Sequence, residues 1–190
     1  MKKIFRFLTP CLLLVSISWA SYAQGSYQVS EESKMVIKGT SSLHDWESEV
    51  RSLEGNATLD LQNQQLIFQQ FALKVPVKSI KSGKSAMDKN TYEALQEKAH
   101  PIIEFDLDEI QSIGQGELEA SGKLTIAGKA RTVTLHAEYE MNNSKQITLT
   151  GNYSLKMTSY GIDPPTAVFG TIKTGDEITI EYTLKLNKTN

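Results

Sequence analysis

The sequence predicts an all-β protein: an antiparallel, up-and-down β-barrel of about eight strands with one short helix covering an end. Three observations predict it. The first is a strict period of two from Glu117 to Met157. Apolar or small residues stand at Leu118, Ala120, Gly122, Leu124 and Ile126, at Val133, Leu135, Ala137, Tyr139 and Met141, and at Ile147, Leu149, Gly151, Tyr153, Leu155 and Met157. Polar residues such as Glu119, Lys123, Thr132, His136 and Glu138 alternate with them. Successive side chains of a strand point to opposite faces, so this pattern buries one face and wets the other. The second is that the links, Ala127-Gly128-Lys129-Ala130 and Asn142-Asn143-Ser144-Lys145, are short and turn-forming. The third is a consequence of the first two: a meander with one apolar face must close on itself or be covered, because its open face and free edges invite aggregation. A β-sandwich is the rival architecture. Long sequential strands with hairpin-length links favour the barrel.

Taken in order, the chain starts Met1-Lys2-Lys3-Ile4-Phe5-Arg6, runs apolar from Phe7 to Trp19 and reaches small residues at Ser21 and Ala23. A basic start, a short apolar core and a small-residue end read as a secretory signal peptide over 1–23, shorter than the ~20 apolar residues a membrane span needs. Residues 24–190 then form one domain, expected to be exported, periplasmic or secreted. The single cysteine, Cys11, falls in the signal segment, which leaves the domain to be held by packing and excludes thiol chemistry there. Removal of Lys2, Lys3 and Arg6 turns 20 basic and 22 acidic residues into a mildly acidic balance. No basic stripe remains for nucleic acid.

Ser26 to Gly39 reads as the first strand, with Met35 and Ile37 on one face. Gly39 to Trp46 reads as a polar loop ending in a large aromatic. Leu53 to Leu61 alternates again and turns at Gln62-Asn63-Gln64. In the long run Leu66 to Ile80, Phe71, Leu73, Val75 and Val77 share a face, but Leu66-Ile67-Phe68 is out of phase, which predicts a β-bulge near Gln69-Gln70. Ser85 to Lys98 changes character: Met87, Thr91, Leu95 and Ala99 recur every four residues, a helical period, and Pro101 stops it. Ile103, Phe105 and Leu107 restore the strand period and lead through Gly114-Gln115-Gly116 into the meander. Thr158 to Asp176, with its prolines and glycines, is irregular through most of its length. Glu177 to Leu186 closes the chain as the last strand, with Ile178, Ile180, Tyr182, Leu184 and Leu186 inward.

Several segments in this order resemble the YceI-like family of exported bacterial proteins: Gly39-Thr40-Ser41-Ser42-Leu43-His44-Asp45-Trp46, His100-Pro101-Ile102-Ile103-Glu104-Phe105, Gly122 to Val133, and Tyr160-Gly161-Ile162-Asp163-Pro164-Pro165 with Gly170 to Asp176. The resemblance implies a lipocalin-like barrel whose apolar interior holds a polyisoprenoid or a similar long lipid, such as a quinone tail. It makes the protein a non-enzymatic carrier, neither membrane-spanning nor cofactor-dependent. Monomer and homodimer both remain open.

Periodicity alone is satisfied by a barrel filled with its own side chains, and the resemblance is what favours a hollow one. Small inward residues (Gly55, Ala57, Ala120, Gly122, Ala137, Gly151) would leave a tunnel. Met35, Phe71, Leu73, Phe105 and Tyr139 are expected to line it, together with Tyr153, Met157 and Tyr182, and Trp46 and Phe169 from the loops. Two alternatives compete. One is an interaction module with a filled core, presenting Trp46 and the Tyr160–Phe169 loop. The other is a hydrolase or isomerase using His44 as base and Asp45 as its orienter. Against catalysis, Gly-x-Ser-x-Gly is absent, Ser41-Ser42 beside a histidine is a weak nucleophile signal, and His44 and Asp45 suit loop-fixing hydrogen bonds. His44, His100 and His136 have no metal-ligand spacing, and neither a phosphate loop nor a dinucleotide glycine pattern occurs. Lys81, Lys84 and Lys173 are candidates to meet a pyrophosphate head group, although solvated surface lysines are far commoner.

Overall fold

The strands wind into a closed antiparallel barrel, seen in a computed structural model that describes residues 25–62, 65–142, 145–167 and 170–189. The predicted signal peptide and Phe169 lie outside the described residues. In chain order the elements are β1 (Gly25–Val29), β2 (Lys34–Ser41), β3 (Trp46–Val50), β4 (Glu54–Gln62), β5 (Gln65–Pro76), β6 (Ile80–Lys81), α1 (Ser85–Ala94), β7 (Ile102–Gly114), β8 (Glu117–Ile126), β9 (Lys129–Met141), β10 (Gln146–Lys156), β11 (Thr166–Ala167) and β12 (Ile172–Lys188). The eight long strands β2, β4, β5, β7, β8, β9, β10 and β12 make the wall. Two short ones close its seam. At one end β1 pairs with both β12 and β4; at the other, β3 pairs with β2 and with β6, which continues the line of β5 past a 3-10 turn at Val77–Ser79.

β8, β9 and β10 pair as the expected antiparallel meander, and the hairpin turns at 127–128 and 115–116 are tight. Ile126 pairs with Lys129 across Ala127 (φ 48°) and Gly128 (φ 75°), and Gly114 pairs with Glu117 across Gln115 (φ 55°) and Gly116 (φ 85°). Two successive positive φ values define the hairpin turn whose twist matches that of the flanking strands. The bulge in β5 also falls where the broken phase placed it. Thr58 pairs with Gln70 and Leu59 with Phe68, so Gln69 is the extra residue, and Phe68 returns to the inner face.

β11 and the first residues of β12 fall inside the stretch read as irregular, and other elements depart from the sequence reading as well. The first strand is two: residues 30–33 turn between β1 and β2, with the Ser33 N–H donating to the Ser30 carbonyl at 3.0 Å. Along β12, Val29 faces Leu186 and Lys34 faces Thr183. Four residues therefore stand opposite two, an insertion that preserves parity and leaves Met35 in the phase of Val29. β3 is a strand within what the sequence offered as loop and connection, because Glu47 and Glu49 flank buried Ser48 in so short a run. The helix ends at Ala94, short of Lys98. Gln96 takes a left-handed φ of 53°, its N–H donates to the Glu93 carbonyl, and the Glu97 N–H donates to the Tyr92 carbonyl at 2.9 Å. That pair of bonds is the Schellman arrangement, which terminates a helix before any proline is met.

The two ends of the barrel differ. At the hairpin end Leu59, Leu66, Ile147 and Leu186 are each no more than 1 % exposed, and with Tyr27 they pack it shut. At the other end α1 contributes no fully buried residue and lies across the opening as a cover. It is strapped on one side. Asp88 accepts from the Ser82 N–H (2.8 Å) and hydroxyl (2.7 Å), the Lys81 ammonium donates to the Tyr92 hydroxyl (2.6 Å), and that hydroxyl lies 3.1 Å from the carbonyls of Lys78 and Ile80.

Candidate functional site

Beneath α1 the barrel interior opens into two apolar chambers. The outer one, of about 380 Å³, is roofed by Met87, Thr91, Ala94 and Leu95 of α1 and floored by Ile37, Val50, Ile103, Ile126, Leu155 and Met157. The inner one, of about 110 Å³, lies deeper among Phe68, Phe71, Leu73, Phe105, Tyr153 and Tyr182. Met35, Leu124 and Ile180 line both and so form the waist between them. Beyond the inner chamber stands the packed end.

The interior stays open because two glycines let rings lie flat against the wall. Gly151 pairs with Tyr182, whose ring occupies the space a Cβ would take (2.7–2.9 Å to its outer atoms), and the Tyr182 hydroxyl donates to the His136 carbonyl at 3.4 Å. Gly122 receives the Phe105 ring in the same way, and the Asp106 carbonyl would stand 2.6 Å from an added Cβ. Small residues were expected to make room by their own absence of side chain. Ala120 and Ala137 border the inner chamber in that way, whereas Gly122 and Gly151 make room by storing aromatic rings that would otherwise cross the lumen. Burial pushes the Tyr182 phenol up to about 12, so it is neutral near pH 7.

The residues singled out from the sequence fall into distinct places. Met35 is at the waist; Trp46 and Met157 line the outer chamber; Phe71, Leu73, Phe105, Tyr153 and Tyr182 line the inner one. Tyr139 packs against the core but borders neither chamber. Trp46 lies flat on Gly39, and its indole N–H donates to the Thr40 carbonyl at 3.0 Å. The inner face of α1, including Asn90, joins the site although no helix residue was expected there. The four-residue recurrence of Met87, Thr91 and Leu95 is the signal that marked that face.

His44 and Asp45 do not form an acid–base pair. The His44 Nδ1 is 2.6 Å from the backbone carbonyl of Asp45 rather than its carboxylate, and both residues are exposed. The Ser41 hydroxyl donates to the His44 carbonyl (2.7 Å) and accepts from the N–H groups of Leu43 and His44 (3.2 Å each). Ser42 ties the loop to Lys173 through backbone and side chain. The loop holds Leu43, 66 % exposed, beside the outer chamber. Of the three lysines, Lys81 is engaged by Tyr92 and Asp88, whereas Lys84 stands at the chamber rim. Among the described residues no three His, Cys, Asp or Glu side chains gather as a metal site.

A closed antiparallel barrel with an apolar interior under a helical cover defines a lipocalin-like binding fold. The chain belongs to the YceI-like family, whose YceI-like domain model matches residues 27–186. No curated protein matches it in sequence. Solved structures show the same fold at low identity. BcnA of Burkholderia cenocepacia is 20 % identical (TM-score 0.68, covering 81 % of this chain and 96 % of that one). A polyisoprenoid binding domain from Saccharophagus degradans, implicated in plant cell wall breakdown, is 10 % identical (TM-score 0.67, covering 88 % and 100 %). The YCEI protein of Campylobacter jejuni is 17 % identical (TM-score 0.61, covering 75 % and 85 %).

Proposed function

We propose that this protein is an exported, non-enzymatic carrier that sequesters a polyisoprenoid or similar long apolar lipid inside the barrel, in the periplasm or outside the cell. The observation that carries the reading is the pair of apolar chambers that meet at Met35, Leu124 and Ile180 beneath a cover with no fully buried residue of its own. A slot of this shape suits a flexible hydrocarbon chain. Met35, Trp46 and Met157, with the inner residues Phe71, Leu73, Phe105, Tyr153 and Tyr182, form its lining, and the Lys84 rim faces the head group. Each buried methylene contributes about 0.8 kcal/mol, and ordering the chain offsets part of that gain. Binding therefore discriminates by length and shape more than by functional groups. The basic, apolar, small-residue sequence of residues 1–23 supports export. Outward residues such as Thr132, Thr134, Glu138 and Glu140 are polar and exposed, whereas a barrel in lipid presents an apolar band outward. No helix among the described residues is long and apolar enough to cross a membrane.

Delipidated protein mixed with vesicles carrying a radiolabelled polyprenyl lipid tests this reading. Label recovered with the protein at close to one per chain is the expected result. Label that stays wholly with the vesicles would overturn the proposal.

A further inference from the structure

Resting on that reading, we infer that the barrel is a blind, two-step ruler that takes an isoprenoid or acyl chain of about 20 carbons, about 15 before the waist and about 4 beyond it. The calibration is physical: an apolar protein cavity of about 150 Å³ is filled by one six-carbon ring, or about 25 Å³ per carbon. On that scale the outer chamber, about 380 Å³, holds about 15 carbons, three isoprene units. The inner chamber, about 110 Å³, adds about 4, nearly one unit more. Met35, Leu124 and Ile180 mark the passage between the two steps.

The scale, read inward from the mouth, has a fixed stop. Past the inner chamber, Leu59, Leu66, Ile147 and Leu186 are essentially inaccessible and close the barrel. A chain end reaching Phe68 therefore has nowhere further to go. A longer chain must leave its remaining carbons outside the mouth, around exposed Leu43 and the rim of α1, where they gain little. The waist has an adaptable member in Met35, an unbranched side chain able to swing aside as a chain end passes.

Displacement of a fluorescent apolar probe by all-trans isoprenoid alcohols of 10, 15, 20 and 30 carbons tests the ruler, with Ala120→Leu as the diagnostic variant. Ala120 lines only the inner chamber, so the substitution places three extra carbons where about four fit. Affinity of the unmodified protein is expected to rise at least tenfold from 10 to 15 carbons and at least fivefold from 15 to 20. It should then change less than threefold from 20 to 30. Ala120→Leu should abolish the step from 15 to 20 while leaving the 15-carbon alcohol within threefold. Ala137→Leu, on the neighbouring strand, serves the same purpose if the first variant does not fold. Affinity that climbs more than tenfold between 20 and 30 carbons, or a variant that weakens both lengths equally, overturns the ruler and leaves lipid carriage standing. Failure of every alcohol to displace the probe overturns both.

Discussion

Replacing Gly122 by alanine isolates the device that keeps the lumen open. The added methyl would fall within the present position of the Phe105 ring and 2.6 Å from the Asp106 carbonyl. The backbone atom is fixed by the β7–β8 ladder, where Asp106 pairs with Lys123, so the ring must turn off the wall into the inner chamber. Forcing a methyl into a packed site costs about 1–3 kcal/mol. Removing a glycine from a strand returns about 0.4–1 kcal/mol through the unfolded chain. The net expectation is a destabilisation of about 1–2 kcal/mol, which for a domain of this size lowers Tm by roughly 2–8 °C. The decisive assay is a double-mutant cycle with Phe105→Leu, read by urea unfolding. If the ring is the obstacle, Gly122→Ala should cost less in the Phe105→Leu background, with a coupling of at least about 0.5 kcal/mol. A Gly122→Ala protein as stable as its parent, or one whose loss is identical in both backgrounds, would refute the wall-storage account.

Three further outcomes are expected. Gln96→Gly should raise stability by about 0.5–1 kcal/mol, because the left-handed Schellman position is held by a residue with a Cβ; an unchanged urea midpoint would contradict this. Hydrogen bonds from the Ser82 N–H and hydroxyl hold the Asp88 carboxyl below its ordinary value of 3.8. A carboxyl depressed on folding contributes its stability in full above 3.8 and loses it as pH falls from there through the lowered folded-state value. Amide exchange in α1 should therefore accelerate relative to β10 below about pH 3.8, and parallel behaviour of the two segments would count against the strap. Burial raises the phenols of Tyr160 and Tyr182 from 10.0 to about 12. The unfolded chain ionises first, so stability should fall between pH 10 and 12 and fall less steeply in Tyr182→Phe; an equal slope in the variant would argue against a buried Tyr182.

How far the sequence reached depended on whether the deciding physics was local. β8, β9 and β10 were legible because one wet and one dry face impose strict alternation, and the Gln69 bulge was legible because it broke that alternation by one. The turn between β1 and β2 left no trace, since its two surplus residues restore the same parity. The end of α1 was hidden because Gln96, not glycine, adopts the left-handed conformation. The inward phase of the barrel residues was readable one by one. Whether they fill the barrel or line it was not, because that depends on Phe105 and Tyr182 lying back over Gly122 and Gly151 on neighbouring strands. Tyr139 has the same inward phase and borders neither chamber.

The carrier reading is tested most directly by mass spectrometry of the organic extract from protein purified, without detergent, out of its native host. A polyprenyl, quinone or comparable long-chain lipid at close to one per chain is the predicted result. An extract free of such lipid, from protein that also refuses added polyprenyl lipid, would contradict it and leave a binding fold whose surface, rather than its interior, does the work.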